Sequence, residues 1–211
     1  MGICLHQSFS TDIQLAVWHI VESEQTWQAD GWLPTDDLAL LHSISHPQKR
    51  LEFIAGRAVV RFLLTQWRHH YRGIMKTTTG KPTLPYLVYS VSLSHSFPYA
   101  TALIHKHKEV GIDIEYPKEK LHKIAPRFLS EEELLLVDND LHLITTCWCA
   151  KEALYKLHAK GDIIFKHNLK VIPSEVHQWD QPIGKILLDN QATTYTLRTH
   201  SVGAHIICWV Y

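Results

Sequence analysis

The feature that most constrains this chain is a predicted helix that is apolar on more than one side. Residues 147–161 are dominated by Ala, Leu, Lys and Glu, which favour a helix, and Gly161 stands where a helix would end. The apolar side chains of Trp148, Leu154 and Leu157 are spread too widely around the helix axis to form one narrow stripe. We therefore expect much of this helix to be buried against the rest of the fold.

The same helix carries charged side chains, two of which share a face. Glu152 and Lys156 are four residues apart, so they lie one above the other on an α-helix. One interpretation is a solvent-exposed ion pair that stabilises the helix only slightly. The other is half of a functional site whose remaining groups come from another element. The helix alone does not decide between these interpretations.

A predicted strand over residues 109–115 supplies acidic groups of the kind that such a site needs. Its alternation places Asp113 and Glu115 on one face and isoleucines on the other. Aspartate is a poor strand former, so two carboxylates on one strand face require compensation by solvent or by a hard cation. Both interpretations fit the pattern. Gly111 predicts a close backbone approach or a bulge.

Basic side chains in the first half of the chain are candidates for binding an anion. A long helix predicted over residues 47–71 places Arg57 and Arg61 four residues apart on one face. Paired guanidinium groups suit the geometry of a phosphate, although a solvated basic face fits equally well. Lys81 lies in a turn stiffened by Pro82, either solvated or directed at an anion.

A predicted strand over residues 88–94 ends at Ser94 and His95, and the next strand covers residues 99–105. The end of such a hairpin can bind an anion. A serine beside a histidine also suggests a hydrolase, but the Gly-x-Ser-x-Gly motif is absent. Adjacent residues rarely form a nucleophile–base pair, so we do not expect nucleophilic catalysis by this serine.

The order of the predicted elements indicates two similar α+β halves. A strand over residues 13–20, a long helix and a hairpin precede residue 107, and a strand, helices and hairpins follow it. We therefore predict an N-terminal half over residues 1–107 and a C-terminal half over residues 108–211, each with a small antiparallel sheet and a long helix.

Further signals lie in the second half. A short helix is predicted over residues 124–129, and Ser130 with Glu133 predicts a capping box at the start of the next helix. The last three predicted strands should form an antiparallel meander, over residues 184–188, 194–198 and 205–211.

Composition excludes several classes of protein. The 211 residues carry a formal net charge of +0 at pH 7, which argues against a general nucleic-acid or anionic-membrane footprint. No apolar run approaches the roughly 18 residues of a membrane-spanning helix, and no signal peptide is expected at the N-terminus. The four cysteines are too few and too scattered for a disulfide framework. We expect a cytoplasmic protein that binds neither nucleic acid nor membrane.

Four short motifs occur in order along the chain: Gly80-Lys81-Pro82, Ser94-His95-Ser96, Gly111-Ile112-Asp113-Ile114-Glu115 and Trp148-Cys149-Ala150-Lys151-Glu152-Ala153-Leu154-Tyr155-Lys156. In this combination the chain resembles the 4′-phosphopantetheinyl transferases, specifically the large monomeric type that includes the surfactin-synthetase activator. The resemblance extends over residues 47–168. It implies a monomer with two α+β halves related by a pseudo-twofold axis and an active site at their interface.

The resemblance implies an enzyme that moves the 4′-phosphopantetheine arm of coenzyme A to a serine of an apo acyl or peptidyl carrier protein and releases adenosine 3′,5′-bisphosphate. It implies a Mg²⁺ cofactor held by Asp113, Glu115 and Glu152 in the C-terminal half. Glu152 would accept the serine proton, and Lys156 would stabilise charge on the phosphates. The coenzyme A phosphates would also contact four residues of the N-terminal half, with Arg57 near the 3′-phosphate: Arg57, Lys81, Ser94 and His95.

Two other functions fit the same residues. One is a Mg²⁺-dependent phosphodiesterase or phosphatase that acts on a nucleotide through an activated water. The other is a coenzyme A-binding protein without catalysis, although clustered carboxylates argue against it because binding alone needs cations.

The carrier protein surface is expected around residues 124–129, where Phe128 and Leu129 form either an exposed apolar contact or part of the core. The sequence leaves open which carrier and pathway are used, which metal is preferred, and what Lys49, Arg50 and Arg61 do. For Lys151 the two candidate partners are the cofactor and the solvent.

Overall fold

Two separate hydrophobic cores organise the computed structural model, which describes residues 2–29, 31–158, 161, 163–175 and 178–211. The chain divides into an N-terminal unit, residues 1–109, and a C-terminal unit, residues 110–211. The division lies two residues beyond the predicted boundary after residue 107. Both units combine helices with antiparallel strands, so the predicted α+β class is confirmed.

The N-terminal unit contains a six-stranded antiparallel sheet in the order β1-β2-β6-β5-β4-β3. Helix α3 packs against β2, β5 and β6, and its apolar side chains enter the core. The strands are β1 (Ile3–Ser10), β2 (Ile13–His19), β3 (Met75–Lys76), β4 (Pro82–Thr83), β5 (Ser90–Ser96) and β6 (Tyr99–His105), and the helices are α1 (Glu24–Ala29), α2 (Thr35–Ser43) and α3 (Pro47–Gln66).

Helix α3 is shorter than predicted. Pro47 occupies its first turn, where a missing N–H is tolerated. The helix ends at Gln66, not near residue 71, because Trp67 leaves the helical conformation and Arg68 has a φ of 60°. A residue in the left-handed region commonly ends a helix, and here that residue is Arg68 instead of glycine, so its residue type did not predict the end of the helix. Strand β1 was not predicted from the sequence.

The C-terminal unit contains two three-stranded antiparallel sheets, in the orders β11-β12-β7 and β10-β9-β8. Helix α6 packs against β7 and β12. The strands are β7 (Gly111–Glu115), β8 (Leu169–Ile172), β9 (Ile183–Leu188), β10 (Gln191–Thr196), β11 (Arg198–Val202) and β12 (His205–Val210), and the helices are α4 (Glu119–Phe128), α5 (Glu131–Val137), α6 (Leu141–His158) and α7 (Phe165–Asn168).

The predicted antiparallel meander at the end of the chain is wrong. The strand predicted over residues 194–198 is interrupted at Leu197, which is buried between β10 and β11. These two strands belong to different sheets, since β10 pairs with β9 whereas β11 pairs with β12. The chain therefore changes sheets at a buried leucine.

The predicted buried helix is confirmed as α6, which the structure describes as far as His158. The predicted end near residue 160 lies outside the described residues. Helix α5 begins with the predicted capping box, in which Ser130 Oγ accepts a hydrogen bond from Glu133 N and Glu133 Oε2 accepts one from Ser130 N. Within the described part of the chain, no helix combines the length and apolarity needed to cross a membrane.

Candidate functional site

Strand β7 and helix α6 approach each other unusually closely at Gly111. A Cβ atom at this position would lie 1.9 Å from the carbonyl oxygen of Ala153. Only glycine permits that separation, because the helix backbone occupies the space that a side chain would need. The predicted close approach is thus confirmed. It brings the acids of β7 beside the charged face of α6.

Lys156 reaches across from α6 to Asp113 on β7. Its Nζ donates a hydrogen bond of 2.7 Å to Asp113 Oδ1 and another of 3.0 Å to the carbonyl oxygen of Ile112. The Asp113 side chain is 9% exposed and that of Lys156 is 27% exposed, so this ion pair is only partly open to solvent. Of the two interpretations of the helix charges, an exposed surface pair is therefore wrong.

Glu152 lies in an environment that disfavours its ionised form. Burial, the Asp113 carboxylate and the Glu115 carboxylate raise the pKa of Glu152 to about 7, although Lys156 opposes the shift. The local negative charge is therefore only partly compensated by protein cations. Clustered carboxylate oxygens of this kind are the donors that hard divalent cations such as Mg²⁺ prefer.

Glu115, the last residue of β7, forms hydrogen bonds with residues that precede α4. Its Oε1 accepts hydrogen bonds of 2.9 Å from Lys118 Nζ and from Tyr116 N. Among the described residues, no group of three or more His, Cys, Asp or Glu side chains is arranged as a metal site. The metal-binding role of Asp113, Glu115 and Glu152 therefore stays a prediction, and it requires their side chains to exchange lysine contacts for the ion.

In the N-terminal unit, Arg57 is not on an open basic face. It is buried, its Nε donates a 2.8 Å hydrogen bond to Asp37 Oδ1, and its guanidinium lies 3.3 Å from the centre of the Phe53 ring. The neighbouring Arg61 is exposed and its guanidinium lies 4.9 Å from the Trp32 ring. The predicted contact of Arg57 with a 3′-phosphate stays a prediction, and the buried pair gives this residue a structural role as well.

Lys81 and His95 each pair with a carboxylate. Lys81 Nζ donates to Glu109 Oε2, which also accepts a 2.8 Å hydrogen bond from Ser90 Oγ. His95 Nδ1 lies 3.1 Å from Glu52 Oε2. Ser94 precedes this histidine on β5 and is partly buried. These two side chains, which are predicted to meet phosphate, therefore already lie near carboxylates of the protein itself.

Lys151 contacts neither solvent nor an open cofactor site, so both candidates from the sequence are wrong. Its side chain is 0% exposed, and it pairs with Glu133 at 2.8 Å. Its Nζ also lies within hydrogen-bonding distance of three backbone carbonyls, those of Phe128, Phe165 and Leu169. The capping-box motif identified Glu133, but no local signal indicated that this acid would meet a lysine of another helix.

Phe128 and Leu129 belong to the core. Both are buried in the apolar cluster of the C-terminal unit, which decides between the two alternatives and makes an exposed carrier contact at these residues wrong. The exposed side of α4 carries Lys120, Lys123 and Arg127 instead.

Two regions of the chain match families of known proteins. Residues 109–210 match the family described as "4'-phosphopantetheinyl transferase superfamily", and residues 38–105 match the "4'-phosphopantetheinyl transferase N-terminal domain". The chain is similar to "4'-phosphopantetheinyl transferase HetI" from Nostoc sp. (strain PCC 7120 / SAG 25.82 / UTEX 2576), with 31% identity over 150 residues. The alignment covers 64% of this chain and 62% of that relative, which is less than two thirds of the relative's length.

Proposed function

The chain belongs to the 4′-phosphopantetheinyl transferase superfamily, in the type that joins the N-terminal domain to the superfamily domain, and we propose that it transfers the 4′-phosphopantetheine arm of coenzyme A to a serine of an apo carrier protein. The observation that carries this proposal is the cluster of Asp113, Glu152 and Lys156, where β7 meets α6. Adenosine 3′,5′-bisphosphate would leave as the second product.

Glu152 is suited to accept the proton of the attacking serine. A general base works best when its pKa lies near the operating pH. Burial and the neighbouring acids bring the pKa of Glu152 to about 7. In the absence of a bound metal ion, a substantial fraction of this carboxyl group is therefore ionised near neutral pH.

Lys156 is suited to balance the charge of the reacting phosphates. Its Nζ is held by Asp113 and by a backbone carbonyl, one helical turn beyond Glu152. A cation fixed in advance stabilises charge that develops on phosphate oxygens without having to reorganise during the reaction. In the proposed reaction, Lys156 exchanges part of its contact with Asp113 for a phosphate oxygen.

Mg²⁺ would be held by Asp113 and Glu152, with Glu115 as the third carboxylate. The donor set fits this ion, because burial and the repulsion from Asp113 and Glu115 disfavour the ionised form of Glu152, and a divalent cation would stabilise that form. When bound, the ion supplies neutralisation of charge on the diphosphate.

The remaining phosphate contacts are proposed for the N-terminal unit, with Lys81, Ser94 and His95 on the diphosphate side and Arg57 near the 3′-phosphate. For the carrier protein we propose contact with the exposed basic side of α4, formed by Lys120, Lys123 and Arg127. Such a face favours a partner whose serine is flanked by acidic side chains.

The test is to incubate the protein with coenzyme A, Mg²⁺ and a panel of apo acyl and peptidyl carrier proteins, and to weigh each carrier by intact mass spectrometry. Transfer adds the mass of one phosphopantetheine, and a carrier whose serine is replaced by alanine gains none. A protein that cleaves coenzyme A while every carrier stays unmodified would be a phosphodiesterase instead. Glu152→Gln serves as the control for contaminating transferases.

A further inference from the structure

Glu52 is a buried acid on α3 that the proposed reaction does not use. Its side chain is 2% exposed. A carboxylate in such a place is unfavourable unless other groups donate hydrogen bonds to it. A buried acid on a helix rich in arginine and lysine therefore requires an explanation from its contacts.

Three side chains surround the Glu52 carboxylate. Oε2 accepts a 2.6 Å hydrogen bond from Lys49 Nζ and lies 3.1 Å from His95 Nδ1, and Oε1 accepts a 3.0 Å hydrogen bond from Gln48 Nε2. Burial alone would raise the pKa of Glu52, but the hydrogen bonds from His95, Lys49 and Gln48 outweigh it and lower the pKa to about 2. The group is therefore an anion throughout the neutral range.

An ionised carboxylate only accepts hydrogen bonds, so the facing Nδ1 of His95 must carry the hydrogen. The contact thus fixes both the position of that hydrogen and the orientation of the ring. The His95 side chain keeps 38% of its surface exposed, so part of the ring remains accessible to a ligand. With Nδ1 directed at α3, Nε2 is the ring nitrogen that a ligand meets.

The ion pair of Lys81 and Glu109, in the same unit, differs from the contact of His95 with Glu52 in the exposure of its acid. Glu109 is 64% exposed, so its side chain can move aside when a phosphate arrives. Glu52 has no such freedom, because it is enclosed on a helix that packs against β5. Glu109 can be displaced by a ligand, whereas Glu52 stays in place behind His95.

We propose that Glu52 is a positioning residue that orients the His95 ring so that its Nε2 faces the diphosphate of coenzyme A. The proposal rests on the proposed function for the identity of the ligand. Glu52 itself touches no substrate. Lys49 and Gln48 serve to keep its carboxylate ionised and in place, and the effect on coenzyme A passes through the histidine.

A double-mutant cycle tests this coupling. Glu52→Gln should raise the KM for coenzyme A about tenfold with little change in kcat, as expected when the partner that orients a histidine ligand is altered. In the His95→Ala background, Glu52→Gln should have no further effect on KM. If Glu52→Gln only reduced the amount of folded protein, it would lower activity equally in the parent and in the His95→Ala background. An equal loss of activity in both backgrounds would therefore overturn the proposal. Thr65→Ala, at an exposed position of the same helix, removes no contact of Glu52 and should stay within about twofold of the parent.

Nuclear magnetic resonance gives a readout that needs no activity. In protein labelled with ¹⁵N at histidine, the His95 ring should show a protonated Nδ1, and Glu52→Gln should change that signature while Thr65→Ala leaves it unchanged. A His95 signature that is identical in the parent and in Glu52→Gln would overturn the proposal. If the parent protein modifies no carrier, the proposed function fails, and the spectra still decide whether Glu52 orients His95.

Discussion

Helix α6 carries two lysines, Lys151 and Lys156, whose surroundings indicate different roles, one in stability and one in the reaction. Lys151 is fully enclosed and faces one carboxylate together with backbone carbonyls. Lys156 is 27% exposed and lies among more carboxylates than it can neutralise. Lys151 therefore stabilises the fold, whereas Lys156, on the same helix, belongs to the reactive cluster.

Charge balance explains the difference. At the first site, Glu133 also accepts hydrogen bonds from Ser130 N and Val171 N, so its oxygens are well satisfied. Burial lowers the pKa of Lys151, but Glu133 opposes that shift. At the second site, burial, Asp113 and Glu115 together raise the pKa of Glu152. An imbalance of this kind is stabilised only when a ligand supplies the missing charge, which is typical of functional sites.

The largest expected effect comes from removing the reactive carboxylate. Glu152→Gln should lower kcat/KM for carrier modification by about 10²- to 10⁴-fold, the usual contribution of a positioned general base. Intact mass spectrometry of the carrier under initial-rate conditions measures the loss. Glu132→Gln on α5 is the matched control, because Glu132 is exposed and should leave the rate unchanged. Near-parental rates in Glu152→Gln would show that the cluster around Lys156 is no more important for the reaction than the enclosed site of Lys151.

The next effect concerns stability at the enclosed lysine. Lys151→Met leaves Glu133 as an uncompensated buried charge, which should lower the free energy of unfolding by about 3–5 kcal/mol. Urea unfolding followed by circular dichroism measures it. The double variant Lys151→Met/Glu133→Gln should be more stable than Lys151→Met, since no buried charge remains. A Lys151→Met protein of parental stability that has lost activity would instead assign Lys151 to the reaction.

A smaller effect of opposite sign is expected at the reactive cluster. The folded-state pKa of Glu152 is about 7, above the ordinary value of 4.5. Its stabilising contribution is therefore complete below pH 4.5 and is lost as the pH rises through about 7. In chelator at pH 8, Glu152→Gln should melt a few degrees above the parent, on the order of 1 kcal/mol. The two should melt together at pH 4.5.

Differential scanning calorimetry from pH 4.5 to pH 8 provides the measurement. Glu52 does not confuse it, because the lowered pKa of about 2 makes its contribution present above pH 4.5 and lost only as the pH falls towards 2. A parental melting temperature in Glu152→Gln at pH 8 would show that neither burial nor the acids of β7 destabilise the ionised form of Glu152.

The smallest effect is expected at an exposed ion pair. Lys170 Nζ donates a 2.6 Å hydrogen bond to Glu132, whose side chain is 62% exposed. Lys170→Ala should lower the free energy of unfolding by about 0.5 kcal/mol or less, as is usual for surface pairs. If Lys170→Ala lowered the free energy of unfolding as much as Lys151→Met in the same urea titration, burial would not explain the difference between Lys151 and Lys170.

Local patterns predicted much of this molecule. The alternation around Asp113, the buried helix that carries Glu152 and Lys156, the close approach at Gly111 and the capping box at Ser130 all follow from residue types at fixed spacings. The family predicted from the four motifs is also confirmed. These signals are local, because each depends on residues within one element.

Pairings between distant segments were not predictable in this way. The division of the last strands between two sheets depends on long-range partners, and so does the contact of Lys151 with Glu133. The burial of Arg57 depends on Asp37, which belongs to another helix. A carboxylate that neutralises a distant cation leaves no periodic signal in the sequence, so the partners of Lys151 and Arg57 within the protein could not be predicted from it.

Gly111 sets the distance between the two halves of the reactive cluster although it carries no functional group. Its missing side chain lets the backbone of α6 come to rest against β7, with Ala153 as the point of contact. A single added methyl group would push the helix outward and lengthen the reach of Lys156 to Asp113. The distance between Asp113 and Lys156 thus depends on a residue without a side chain. Gly111 takes no part in the chemistry, yet it holds the reactive side chains at the separation that the reaction needs.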